Sequence, residues 1–163
     1  MEYISSRNTE KTFSFRDVFL KGLAPDGGLF VPKKFPTFTS EEIENLKILS
    51  YKDLATKIIH KFCSDEFNEN EISNLVKISY KNFRVDEVVK LKKLGKLRLL
   101  ELFHGPTLAF KDIAMQVIGN MYEQILQKNN IKINIVVATS GDTGAAAISA
   151  IKDRKNMRIF VLH

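Results

Sequence analysis

The chain has 163 residues, 44% of them apolar and 27% charged, enough to bury a core in one domain or one and a half small ones. Its 25 Lys and Arg against 19 Asp and Glu give a formal charge of +6, but the lysines are scattered and the aromatics are mostly Phe at helical spacings, which argues against a nucleic-acid surface. Cys63 is the only cysteine, so there is no disulfide framework and no cysteine-rich zinc site; half-buried packing in a reducing compartment is expected for it, and no metal site is expected.

The opening stretch MEYISSRNTEKTF carries charges throughout and lacks the apolar segment of a secretory signal. No apolar run approaches the ~18 to 20 residues of a membrane helix, so a cytoplasmic protein without a membrane partner is expected. SFRDVFLKGLAPDGGLFVP reads as a short helix with Phe15, Val18 and Phe19 on one face, stopped by Gly22, then a Pro25–Gly28 turn into an extended LFVP. TSEEIENLKIL has the chemistry of a helix start, with Thr39 or Ser40 as cap and Glu41 and Glu42 in the first turn. Amphipathic helices are expected at Tyr51–Phe62 and Asn70–Asn82. VVKLKKLGKLRLLEL alternates apolar and basic residues on either side of a Leu94–Gly95 break, the pattern of a hairpin.

The second half differs in character. Ile113, Val117, Met121 and Ile125 lie four apart, with Ala114, Ile118, Tyr122 and Leu126 in a parallel row, so a helix with a wide apolar face is expected, largely buried. INIVVATSGDTGAAAISAIKDRKNMRIFVL then runs from an apolar strand through a Gly-rich turn and a small-residue helix to a second apolar strand. That is a βαβ unit of a parallel sheet covered on both faces, with a right-handed crossover. The expected fold class is α/β: a small, mainly helical N-terminal region, 1–90, followed over 91–163 by the first βαβ part of a parallel-sheet domain, incomplete as it stands.

Two stretches carry chemistry. ATSGDTGAAA lies where a parallel strand gives way to a helix, the edge at which α/β sheets bind ligands. Free N–H groups at the helix start, the hydroxyls of Ser140 and Thr143, and Gly141 and Gly144, which would let the backbone approach closely, suit an anion. A plain turn capped by Asp142 or Thr143 is the alternative. The pattern is neither a dinucleotide fingerprint nor a P-loop. The other stretch is ELFHGPTLAFKDIAMQ, in which Lys111 stands at the start of the long helix. A helix N-terminus and an apolar face favour the free, nucleophilic amine, while Asp112 favours the charged form, so the balance is open. His104 could orient a group near the site or simply fill its turn; His60 and His163 have no supporting context.

ELFHGPTLAFKD followed about thirty residues later by ATSGDTGAAA resembles threonine synthase, a pyridoxal-phosphate enzyme of the tryptophan-synthase-β fold type. SFRDVFLKGLAPDGGLFVP resembles the N-terminal region of the same family, so the similarity runs nearly end to end. The resemblance implies that the α/β part is the start of a domain that binds pyridoxal 5'-phosphate. Lys111 then matches the catalytic lysine bonded covalently to the cofactor, and Ser140, Gly141, Asp142 and Thr143 match the loop that grips the substrate α-carboxylate. His104, Phe110 and Asp112 would stand around the amine. The implied reaction converts O-phospho-L-homoserine and water to L-threonine and phosphate. Family members run to several hundred residues, and the later glycine-rich loop for the cofactor phosphate and the residue facing the ring nitrogen are not in this sequence. A fragment of the enzyme is one reading; the alternative is a non-catalytic remnant acting, if at all, as a binding or interaction protein. An apolar strand left at a sheet edge makes self-association an expectation in either case.

Overall fold

A computed structural model describes residues 1–162, leaving His163 outside the described residues. The chain begins with a short antiparallel sheet in the order β2-β1-β3, formed by β1 (Tyr3–Ser5), β2 (Thr12–Phe13) and β3 (Phe30–Pro32). Tyr3 faces Phe13 on one side and Pro32 on the other. Helix α1 (Phe15–Lys21) starts at Ser14, whose hydroxyl accepts from the Asp17 N–H while the Asp17 carboxylate accepts from the Ser14 N–H. It ends at Gly22, whose N–H donates to the Val18 carbonyl.

Three helices follow: α2 (Ser40–Leu46), α3 (Tyr51–Cys63) and α4 (Glu69–Ser79). Thr39 forms a reciprocal cap with Glu42, and Ser50 accepts from the Asp53 N–H. Phe15 is the hub of the first core, its ring 6.2 Å from Tyr3, 5.2 Å from Phe19 and 6.1 Å from Phe67. Cys63 is fully buried there rather than half-buried, with its thiol donating to the Ile59 carbonyl. The last expected helix, to Asn82, stops at Ser79. The Ser79 hydroxyl turns back on the Leu75 carbonyl, a side-chain bond of the kind that competes with helix propagation.

The chain divides into two compact units, 1–74 and Leu75 onward, with the division inside α4. The second unit opens with the hairpin β4 (Lys90–Leu94) and β5 (Leu97–Glu101), paired from Lys90↔Glu101 to Leu94↔Leu97. Its two-residue turn has Gly95 at φ 60°, the left-handed conformation such a hairpin requires at its first central position. Helix α5 (Lys111–Asn129) buries Val117, Met121, Ile125 and Leu126. The second apolar row is less covered than expected: Ala114 is exposed, and Ile118 and Tyr122 are half-buried.

Strands β6 (Ile133–Ala138) and β7 (Met157–Leu162) pair in parallel across α6 (Asp142–Ile151), the expected βαβ unit. Ile133, Ile135 and Val137 are half-buried. The expected cover on the opposite face is not supplied by this chain: Val136, Phe160 and Leu162 are 66%, 52% and 61% exposed.

Candidate active site

Helices α5 and α6 set the geometry. Gln116 donates to the Ser149 hydroxyl at 3.3 Å, a Cβ on Gly119 would lie 2.6 Å from the Ala150 carbonyl oxygen, and Arg154 lies 3.9 Å from Glu123. Positions rise together along both helices, so the two run side by side in the same direction. Lys111 is five residues before Gln116 and Asp142 seven before Ser149, offsets of ~7.5 and ~10.5 Å along the axes. Both helix starts therefore lie at one end, and for α6 that end is the C-terminal edge of β6. The two stretches singled out in the sequence share the edge at which such sheets bind ligands.

Lys111 is the first residue of α5 and is half-buried. Its ammonium lies 4.6 Å from the centroid of the exposed Phe110 ring and makes no ion pair with any described residue. Phe110 occupies the cap position without a side-chain cap, so the helix start is held by other means. Asp112, fully buried, provides them: its carboxylate accepts from the Thr107 N–H at 2.8 Å and from the Thr107 hydroxyl at 2.7 Å. Gly105 lies against that carboxylate so closely that a Cβ there would stand 2.4 Å from the Asp112 Cβ.

His104 does not reach Lys111. Its Nε2 lies 2.9 Å from the Glu101 carboxylate, and its backbone carbonyl accepts from the Arg84 N–H. Glu101 closes β5 only 6% exposed and also pairs with Lys92 at 2.7 Å. The Lys92 ammonium, and then His104, hold the Glu101 carboxyl below its ordinary range.

At the α6 start, Ser140, Gly141 and Asp142 are exposed and Thr143 is half-buried. Gly141 holds the cap position with no side-chain bond, so the capping expected of Asp142 or Thr143 is absent. The side chains of Ser140, Asp142 and Thr143 make no hydrogen bond to any described residue. Gly141 faces open space, as an approaching anion requires. Gly144 serves packing instead, since its Cβ would meet the Thr139 side chain at 2.8 Å. The sequence reading missed Thr107, Gly105 and Glu101; a Thr directly after a Gly-Pro pair and five residues before an Asp was the available signal.

Elsewhere, a groove of ≈ 250 Å³ lies between the N-terminal ends of β6 and β7, lined by Lys132, Asn134, Lys155 and Asn156 among others, at the edge away from Lys111. Among the described residues no helix is long and apolar enough to cross a membrane, and no group of His, Cys, Asp and Glu side chains could hold a metal ion.

A family model described as threonine synthase N terminus matches residues 2–80. Threonine synthase of Pseudomonas aeruginosa is 42% identical over 164 residues, an alignment that takes in 100% of this chain and 35% of that protein. The Saccharomyces cerevisiae threonine synthase is 40% identical, over 99% of this chain and 34% of its own length. Among solved structures, the PLP-bound threonine synthase of Brucella melitensis superposes with a TM-score of 0.94 at 42% identity, over 99% of this chain and 35% of that one. The Escherichia coli threonine synthase gives 0.88 at 29% identity, over 100% and 37%. The chain spans about a third of the length of the relatives it matches. It belongs to the threonine synthase family and corresponds to the N-terminal part of that enzyme.

Proposed function

We propose that this chain is the N-terminal part of a cytoplasmic, pyridoxal-phosphate-dependent lyase that converts O-phospho-L-homoserine and water to L-threonine and phosphate. In this reading residues 1–90 form the N-terminal region, and 91–163 begin the cofactor domain. The observation that carries the proposal is the Lys111 amine, without a carboxylate partner, at the sheet edge it shares with the open Ser140–Thr143 loop.

The residues fit the cofactor at its point of attachment. Lys111 offers an amine unneutralised by any described acid, with the Phe110 ring beside it. When bound, the cofactor supplies a pyridine ring that accepts electrons from bonds broken at the amino-acid carbons. The chain's own residues do the rest of what can be assigned. Lys111 would hold the cofactor through its amine, and the same amine, when free, is placed to take a proton from Cα and to return protons along the carbon chain. The hydroxyls of Ser140 and Thr143 and the free N–H groups of the first turn of α6 bind the substrate carboxylate, with the helix dipole in favour. Across the reaction the γ C–O bond breaks and phosphate leaves with the electron pair, Cβ loses a proton and gains the hydroxyl of water, and Cγ gains a proton to become the methyl group.

The test is a chimaera in which this chain replaces the matching third of the P. aeruginosa relative, assayed for phosphate release from O-phospho-L-homoserine. The expected result is turnover, with borohydride reduction placing the pyridoxyl label on Lys111, and loss of both in Lys111→Ala. A folded, cofactor-loaded chimaera that releases no phosphate, or carries its label on another lysine, overturns the proposal.

A further inference from the structure

Asp112 is a buried ionisable group for which the proposed reaction has no use. Its carboxylate is 0% exposed and meets no cation among the described residues; it accepts from the N–H and hydroxyl of one residue, Thr107, five positions back. Stabilising a helix start does not require that reach, since a cap residue next to the first turn would suffice. What the reach does is close the segment 107–112 into a ring, with Gly105 packed against it. Inside the ring Leu108 is held at φ 63°, a left-handed conformation that a branched apolar residue adopts only when its surroundings impose it. The Leu108 N–H donates to the Gly105 carbonyl, the Asp112 N–H to Ala109 and the Ile113 N–H to Phe110, so backbone bonds tie the turn at both of its ends. Gly105 admits no side chain because the Asp112 carboxylate fills the space.

Lys111 sits at the end of this ring. Its amine has no hydrogen-bond or ion-pair partner among the described residues, so no polar contact fixes it, and its reach starts from the backbone at 110–112 beside the Phe110 ring. A shift of that backbone shifts the amine. We infer that Asp112 and Thr107 are positioning residues, forming a latch that holds the strained 105–110 turn and so places the Lys111 amine for its bond to the cofactor. This rests on the reading of Lys111 as the reactive amine.

The latch is tested in the chimaera described above by two variants, Thr107→Val, which removes the hydroxyl and keeps shape and N–H, and Asp112→Asn, which keeps shape and removes the charge. The readout is the rate at which Lys111 condenses with added pyridoxal phosphate, releasing water, taken from the yield of borohydride-reduced Lys111 peptide at timed quenches. Both variants should slow labelling of Lys111 about tenfold or more while labelling of exposed lysines such as Lys128 stays unchanged; misplacement of a reacting group by about 1 Å has effects of up to a hundredfold. Thr107→Ser, which keeps both donors, should restore the rate to within about threefold of the parent. Thermal unfolding separates positioning from folding, since a positioning role predicts slowed labelling in protein that is fully folded at the assay temperature. Parent-like labelling of Lys111 in both folded variants overturns the latch and leaves the Lys111 reading intact. Failure of Thr107→Ser to recover in folded protein also overturns it. A label on another lysine in the parent chimaera overturns the Lys111 reading and the latch with it.

Discussion

Asp142 and Thr143 are adjacent at the start of α6, yet they should respond differently to substitution. Asp142 is exposed and its carboxylate makes no hydrogen bond to a described residue, so its charge does not serve as a cap. It favours the helix dipole, but it would repel a carboxylate docking on the same first turn. Thr143 is half-buried and offers a hydroxyl donor. In the chimaera Asp142→Asn should therefore leave KM for O-phospho-L-homoserine within about threefold, whereas Thr143→Val should raise it about tenfold, the worth of one hydrogen bond to a charged group. Steady-state kinetics decide the matter, and a pH–rate profile that loses one limb in Asp142→Asn would give that residue an acid or base role instead. At this scale the candidate motifs were legible and the contacts that support them were hidden. Lys111 and the Ser140–Thr143 loop stand in contiguous motifs that can be read directly. The bond from Asp112 to Thr107 depends on a turn whose left-handed Leu108 no local pattern announces. Gly144 was misassigned for a similar reason, because its neighbour Thr139 is fixed only once the strand and helix are packed.

Helix starts were legible wherever a side chain caps them, as Ser14, Thr39 and Ser50 do, because a cap is a local bond between residues three apart. Strands β1 and β2 were not, because segments of three and two residues show no periodicity and exist only through pairing, β2 with β1 and β1 also with β3. That small sheet joins α1 and α3 in the first core, where two weak acids are buried. The Tyr3 hydroxyl donates to the Phe62 carbonyl, and burial, reinforced by Asp65, pushes its pKa up to about 12. Burial, followed by Asp65 and Glu66, pushes the Cys63 thiol up to about 12 as well. Both folded values lie above the unfolded ones, so their contribution to stability is complete below about pH 8.5, the ordinary thiol value. It is lost as pH rises toward 12, because the unfolded chain gives up protons that the folded chain keeps. Urea midpoints of the first unit's unfolding should fall steadily above about pH 9, with a slope of at most about 1.4 kcal/mol per pH unit for each group. Cys63→Ala should remove part of that slope while leaving the neutral-pH curve shape unchanged; a midpoint flat from pH 8 to 11 would show that neither group titrates on unfolding.

Across the whole molecule several large apolar side chains stand uncovered. Val136, Phe160 and Leu162 stand on the bare face of the parallel pair, and Leu91 and Leu97 of the hairpin are 64% and 72% exposed. The alternation of half-buried and exposed positions along β6 and β7 comes from cover on one side only, in strands whose continuous apolar sequence suits cover on both. In the family reading the cofactor phosphate is gripped by a glycine-rich loop that this sequence does not contain, and charge-assisted hydrogen bonds of that kind contribute roughly 1.5 to 3 kcal/mol each. Without two or three of them binding weakens by about three or more powers of ten, and the bond at Lys111 does not compensate because it hydrolyses reversibly. The 163 residues by themselves should therefore neither release phosphate from O-phospho-L-homoserine nor keep the cofactor through gel filtration at micromolar concentration. They should associate as concentration rises, since a bare apolar face beside an unpaired strand edge offers both a surface and a template for pairing. Light scattering across a hundredfold dilution series reads the association, and absorbance of the eluted peak reads the cofactor. Adding the remaining two thirds of the P. aeruginosa relative as a separate polypeptide should suppress the association and raise cofactor retention together, because in the family reading that part brings both the cover for the bare face and the phosphate loop. A chain that stays monomeric at high concentration, or that elutes with cofactor and turns over alone, would mean that these residues complete their own site.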